Sequence, residues 1–173
     1  MEGIRRATLA DAPAIAAIYN HFIEHTIVTF EEELVTSEEI GRRMDDVLRS
    51  HDFFVLEQEG KVAGYAYASR FRERVAYRFT TESTIYLSPD FLGRGLGAPL
   101  YRALLARIFE LGYRHAIGAI SLPNDASVGL HERLGFVEVA HYPRVGKKFG
   151  QWIDVAAWQL ENPNFDDART LPP

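Results

Sequence analysis

The chain has no cysteine in its 173 residues. Disulfides, thiolate metal ligands and a cysteine nucleophile are therefore excluded. No apolar run approaches the ~20 residues that a membrane-spanning helix needs, so no membrane partner is expected. The opening MEGIRRATLADAPAIAAIYN lacks the basic, apolar, small order of a signal peptide, and a cytoplasmic location is the expectation. Basic residues are not in excess. Lys and Arg number 19 against 24 Asp and Glu, a formal net charge of -5, which speaks against a general nucleic-acid binder. No His, Asp or Glu cluster has metal-ligand spacing. No repeat, low-complexity tract or linker divides the chain. The remaining composition, 47% hydrophobic and 25% charged, suits one globular domain with a real core. We expect that domain to span residues 1–161, with the polar, proline-containing residues 162–173 loosely held.

Periodicity places the elements. GIRRAT is a short first strand. Thr8 and Asp11 make a capping-box-like pair and Pro13 suits a first helical turn, followed by Ile15, Ile18, Tyr19 and Phe22 at helical spacing to about Glu24. HTIVTFEEELVT breaks the period and reads as a loop. Thr36 and Glu39 repeat the capping pair before the stripe Ile40, Met44, Val47, Leu48. FFVLEQEGKVAGYAYASR is two strands about a turn at Glu59-Gly60, FRERVAYR a basic aromatic loop, and FTTESTIYL a strong strand. Leu100, Leu104, Leu105, Ile108 and Leu111 face inward from a third helix that Gly112 ends. HAIGAIS is a strand, NDASVGLHERLG a short helix capped by Asn124 and ended by Gly135, and FVEVAHYP and FGQWIDVAAWQL are closing strands. The class is mixed α/β (α+β), with antiparallel hairpins first and then a parallel crossover from STIYL to HAIGAIS.

Gly93, Gly95 and Gly97 stand at alternate positions where a strand gives way to the third helix. A glycine loop opening a helix exposes backbone N–H groups at the positive end of the helix dipole, which suits a phosphate or pyrophosphate. A plain glycine-rich turn is the alternative. Ala98-Pro99 follows Gly97, so the Gly-Lys-Ser/Thr of a P-loop is missing, and the spacing G-x-G-x-G is not that of a dinucleotide fingerprint.

With its surroundings, LGRGLG resembles the pyrophosphate motif of the GNAT N-acetyltransferases, Arg/Gln-x-x-Gly-x-Gly/Ala. Gly95 and Gly97 match, and Leu92 stands where the family has Arg or Gln. IYNHFIEHTIVTFEEE, GYAYASRFRERVAYRFTTESTIYLSPDFLGRGLG, NDASVGLHERLGF and VGKKFGQWIDV extend the resemblance to the phosphinothricin N-acetyltransferase family, with its methionine-sulfoximine acetylating members, from about Ile4 to Leu160. The resemblance implies a GNAT fold: a mixed, mostly antiparallel sheet with a central split, flanked by about four helices. It implies acetyl-CoA as acetyl donor, no metal, a small amino-acid-like acceptor and a homodimer. Ile85, Tyr86 and Leu87 would offer backbone to the pantetheine arm. Gly93, Arg94, Gly95, Leu96, Gly97 and Ala98 would hold the pyrophosphate, and Asn124 and Arg133 would also meet the cofactor.

Amine acetylation needs a base for the ammonium proton, an oxyanion donor and an acid for the thiolate. Glu82, in the FTTESTIYL strand where the family carries a Glu, is the candidate base; a solvated strand carboxylate is the plain alternative. The Leu87 N–H is the candidate oxyanion donor. His131 either protonates the thiolate or simply packs and hydrogen-bonds in its helix, and Tyr101 reads as packing. In SRFRERVAYRFTTE, Arg72, Arg74 and Arg78 alternate with aromatics and could clamp a carboxylate, phosphinate or sulfone. Phe30, Val75, Tyr77 and Thr80 would complete the acceptor site. The alternatives for these arginines are a solvated loop or a dimer interface. The expected activity is direct acetyl transfer to an α-amino group, with a peptide N-terminus as rival acceptor and a non-catalytic acyl-CoA sensor as rival function.

Overall fold

In the computed structural model, which describes residues 3–166 and Ala168, seven strands form one sheet. They are β1 (Ile4–Arg6), β2 (Phe53–Gln58), β3 (Lys61–Arg70), β4 (Thr80–Leu87), β5 (His115–Leu122), β6 (Val137–Lys148) and β7 (Gln151–Glu161), in the spatial order β1-β2-β3-β4-β5-β7-β6. Four helices accompany them: α1 (Ala12–His25), α2 (Ser37–Leu48), α3 (Gly97–Leu111) and α4 (Asp125–Arg133). All strand pairs are antiparallel except β4 with β5, which the α3 crossover joins in parallel. This is the mixed, mostly antiparallel architecture that the residue order predicts.

Local chemistry sets the ends of the elements. Thr8 and Asp11 form a capping box, but it closes a single 3-10 turn (Leu9–Asp11), and α1 starts after it with Pro13 in its first turn. Thr36 Oγ1 accepts from the Glu39 N–H at 3.1 Å. The Glu39 carboxylate turns instead to Arg42 and Arg43, so this second pair caps in one direction only. Glu59 and Gly60 take positive φ at the β2–β3 turn, and Gly112 ends α3 at φ 99°.

Alternation along the strands divides the core. Val55 and Tyr65 join Ile15, Ile18, Ile40 and Met44 under α1 and α2. Leu56, Ala66, Ile120 and Trp158 face the other way, under Leu100, Tyr101, Leu104 and Ile108 of α3. No helix among the described residues is long and apolar enough to cross a membrane.

Two expectations need correction. The strand expected over FVEVAHYP continues past Pro143 to Lys148, because a register shift between Tyr142 and Gly146 absorbs the proline and the positive φ of Arg144. Phe149 and Gly150, expected at the start of the last strand, form the turn at φ 48° and 76°, and β7 begins at Gln151. Of the expected tail, Asn162 is buried and donates to the Tyr113 carbonyl at 3.2 Å, and the Phe165 ring meets Phe79 at 5.7 Å. Residues 167 and 169–173 lie outside the described residues.

The parallel ladder is short. Thr80 pairs with His115, Thr81 with Ala116 and Glu82 with Ile117; beyond that rung Ser83–Leu87 and Gly118–Leu122 no longer pair with each other. The sheet is therefore split in its middle, between the C-terminal halves of β4 and β5.

Candidate active site

The split has a backbone edge. Ser88 N donates to Ala63 O at 2.8 Å, and the β3–β4 register runs without a shift from there to Thr81. By the alternation of an antiparallel ladder, Tyr86 exchanges its bonds with Tyr65, while Ser83, Ile85 and Leu87 turn their N–H and C=O groups toward β5. Of the three residues expected to offer backbone, Ile85 and Leu87 thus open onto the split. Tyr86 sends its ring to the opposite layer, 5.3 Å from Tyr19 and 5.1 Å from Phe22.

The glycine loop lies at the end of this edge. Gly93 and Gly95 take φ of 72° and 74°, and a β-carbon built on either would have no atom within 4 Å. Both are thus required by conformation and open to an approaching group. Gly97 is different. It is the first residue of α3, and a β-carbon there would press on Leu130 at 3.3 Å and Leu87 at 3.5 Å. Arg94 donates to Glu59 at 3.0 Å and to the Asp90 carbonyl at 2.9 Å, which ties the loop to the β2–β3 turn and to its own start. Leu92 is exposed, whereas Ala98 is only partly so and Leu96 packs against the core beneath α3. A backbone edge, two unobstructed glycines and a helix N-terminus fit a pantetheine arm and pyrophosphate. Asn124 caps α4 through Oδ1, which accepts from Ser127 N at 3.1 Å, and Arg133 is exposed at the far end of that helix.

Glu82 occupies the last paired rung at the mouth of the split, opposite Ser69 on β3. It is half-buried, and burial raises its pKa above the ordinary carboxylate value; the nearby Arg72 guanidinium acts in the opposite direction. Its strand neighbour Ser83 faces the other layer and begins a buried chain of polar groups. Ser83 Oγ lies 2.7 Å from Tyr101 Oη, and Tyr101 Oη lies 3.0 Å from His131 Nε2. His131 Nδ1 lies 2.8 Å from the Ser127 carbonyl, which can only accept, so Nδ1 carries the proton and Nε2 of the neutral ring accepts from Tyr101. Burial pushes the His131 pKa down, favouring that neutral ring. The ring fits because Gly118 has no side chain; a β-carbon there would overlap it. In sequence Tyr101 reads only as a packing residue of the third helix. Its hydroxyl link to His131 joins residues 30 apart in sequence, and nothing in local spacing announces it.

The basic loop lines a cavity of about 540 Å³ beneath the start of β4. Arg72, Arg74, Val75, Tyr77, Arg78 and Thr80 all border it. Arg70, Arg49 and His51 join them from outside the predicted set. Arg70 is paired with Glu73 at 2.8 Å, but among the described residues no carboxylate lies within ion-pair distance of Arg72, Arg74 or Arg78. Arg72 and Arg78 stack over Phe71 and Phe79 at 5.0 and 4.7 Å. Phe30 does not border this cavity. Its ring lies against Gly146 of β6.

Residues 15–136 match the acetyltransferase (GNAT) family. This chain belongs to that family. A phosphinothricin N-acetyltransferase of Streptomyces viridochromogenes is 43% identical over 91% of this chain and 86% of its own length. An L-methionine sulfoximine/L-methionine sulfone acetyltransferase of Pseudomonas paraeruginosa is 36% identical over 98% of each chain. Among solved structures, a GNAT superfamily phosphinothricin acetyltransferase of Sinorhizobium meliloti, in complex with AcCoA, superposes with a TM-score of 0.92 at 35% identity, covering 98% of this chain and 92% of that one. This GNAT chain thus shares its whole fold, and not only the glycine loop, with that phosphinothricin acetyltransferase.

Proposed function

We propose that this GNAT enzyme transfers the acetyl group of acetyl-CoA directly, in a ternary complex, to the α-amino group of a small amino-acid-like acceptor of the phosphinothricin, methionine sulfoximine or methionine sulfone type. The observation that carries the reading is the position of Glu82, a carboxylate of raised pKa at the point where the sheet opens, beside a basic cavity. Acetyl-CoA supplies an activated acetyl thioester. Ile85 and Leu87 offer it backbone, Gly93 to Ala98 receive its pyrophosphate, and Asn124 and Arg133 border it. No cluster of three or more His, Asp or Glu among the described residues could hold a metal, and none enters the reading.

Glu82 takes the proton of the acceptor ammonium, directly or through a water, because only the free amine is nucleophilic. Burial raises its pKa above the ordinary carboxylate value, which makes it a stronger proton acceptor than a solvated carboxylate. The Leu87 N–H, turned into the split, donates to the acetyl oxygen as negative charge develops on it. His131 has both nitrogens engaged in its neutral state, so it acts as anchor of the Tyr101 hydroxyl unless it releases that bond. The guanidinium groups of Arg72, Arg74 and Arg78, without a carboxylate partner among the described residues, orient the acceptor's carboxylate or polar head, with Val75, Tyr77 and Thr80 beside them and Phe30 as a wall from the α1–α2 segment. A homodimer in the cytoplasm completes the reading. Val75 and Tyr77 on this loop are 75% and 42% exposed, as apolar groups awaiting a second copy would be.

A panel of amines tests it, by free-thiol release from acetyl-CoA. Methionine sulfone, methionine sulfoximine or phosphinothricin should be turned over far better than alkylamines or peptide N-termini. Alanine at Arg72, Arg74 or Arg78 should raise the acceptor KM more than that of acetyl-CoA for at least one of the three, with oligomer mass unchanged. Better turnover of alkylamines or peptides overturns the acceptor assignment.

A further inference from the structure

Lys148, the last residue of β6, is 1% exposed. Its Nζ donates to the backbone carbonyl of Thr29 at 2.8 Å. No carboxylate pairs with it among the described residues; Glu32 and Glu31 act only at longer range, and burial pushes its pKa down. Keeping an ammonium inside a protein without an ion-pair partner is costly. The acetyl-transfer reading makes no use of it.

What Lys148 holds is the segment between α1 and α2. Thr29 Oγ1 lies 2.7 Å from Tyr19 Oη, which also donates to Glu31 at 2.9 Å, and Glu31 in turn accepts from Arg43 at 2.6 Å. These bonds secure the segment on its helix side. On its other side stands β6, and there two contacts meet it. One is the Lys148 ammonium on the Thr29 carbonyl. The other is the Phe30 ring, which lies where a β-carbon of Gly146 would be. Phe30 nonetheless keeps 40% of its surface exposed, so the ring is braced from behind and free in front.

We propose that Lys148 is a positioning residue for the acceptor: it clamps the Thr29 carbonyl to β6 while Gly146 leaves room for the ring, so that Phe30 stands as a fixed wall of the acceptor cleft. The inference rests on the acetyltransferase reading above, in which Phe30 borders the acceptor. Lysine suits the task. Its long stem can span the buried distance to the segment while its tip delivers a charge-assisted bond to a neutral carbonyl. A wall that wanders would leave the acceptor amine poorly aligned, and small misplacements are costly in a two-substrate transfer.

The variant Lys148→Met keeps the length of the side chain and removes the donor. Amide exchange over residues 28–31 should accelerate. The acceptor KM should rise roughly tenfold, the equivalent of one charge-assisted hydrogen bond, with the acetyl-CoA KM unmoved. Tm should fall only modestly, since the Thr29 carbonyl loses its donor while a desolvated charge is removed. Gly146→Ala keeps the ammonium but displaces the ring, and should give the same split between the two KM values. Unchanged exchange, an unchanged acceptor KM, or a joint rise of both KM values with a lower Tm each overturns the clamp. Should the wild-type enzyme acetylate no amine at all, the proposed function falls, and the exchange measurement still decides whether Lys148 fixes the segment.

Discussion

Glu82 and Ile117 form the last parallel rung between β4 and β5. One residue further on, the strands part. The carboxylate is therefore carried by a paired strand, held in direction by its neighbours, and delivered to the opening where backbone groups of Ile85 and Leu87 become available. Rigid support on one side and an open edge on the other is what a base needs if it is to meet two substrates at once.

Replacing Glu82 by Gln should lower turnover by ~10² or more at neutral pH, with partial recovery as rising pH frees the amine. Stability should move the other way. Burial raises the folded-state pKa of Glu82 above its unfolded value. The native state is therefore favoured at low pH, and that advantage is lost as pH rises from the unfolded pKa through the folded one. Above that window the ionised carboxylate is a liability that Gln removes. Tm at neutral pH should hold or rise; a fall in both activity and Tm would assign Glu82 a structural role.

Arg72 offsets part of the upward effect of burial on the Glu82 carboxyl. In Arg72→Ala the acidic limb of the kcat/KM profile should shift to higher pH, beyond any effect on acceptor KM. An unmoved limb would separate Arg72 from the base.

Gly95→Val places a β-branched residue at φ 74°, a backbone region that valine disfavours, and puts a side chain into open space at the loop. Calorimetry should show acetyl-CoA affinity reduced at least roughly tenfold, on the scale of the strain that such a residue stores at positive φ. Leu92→Gln should bind acetyl-CoA as tightly as the wild type or more tightly. Leu92 is exposed, so the change costs no core packing.

Gly118→Ala tests the buried polar chain. A methyl group there would overlap the His131 ring, and such overpacking costs about 1–3 kcal/mol. Denaturant unfolding should show the loss. The double variant with His131→Ala should recover part of it, because the ring is then gone; additive losses would mean that the two sites do not touch.

Much of this enzyme can be read directly from its residues. Ile15, Ile18, Ile40 and Met44 repeat at helical spacing because each helix buries one face, and the glycines at 93 and 95 announce a backbone that other residues could not follow. Pro143 misleads because it suggests the end of a strand, whereas a register shift against β7 lets the strand run on. Phe30 and the arginine loop look like one pocket in sequence, yet only the loop borders the cavity, and the Phe30 ring sits against Gly146 of β6.

By itself the sequence determined the class of fold, the order of the elements and the open glycine loop, since these follow from local periodicity, from conformations only glycine tolerates and from motifs short enough to be contiguous; Glu82 it marked as candidate base only through a family resemblance. Tertiary structure alone decided that Ile85 and Leu87 but not Tyr86 face the split, that His131 shares its lone pair with Tyr101 over Gly118, and that Lys148 holds Thr29 from 119 residues away. Those relations depend on strand register and on burial. Both arise when distant segments meet in one core, and neither leaves a period in the chain.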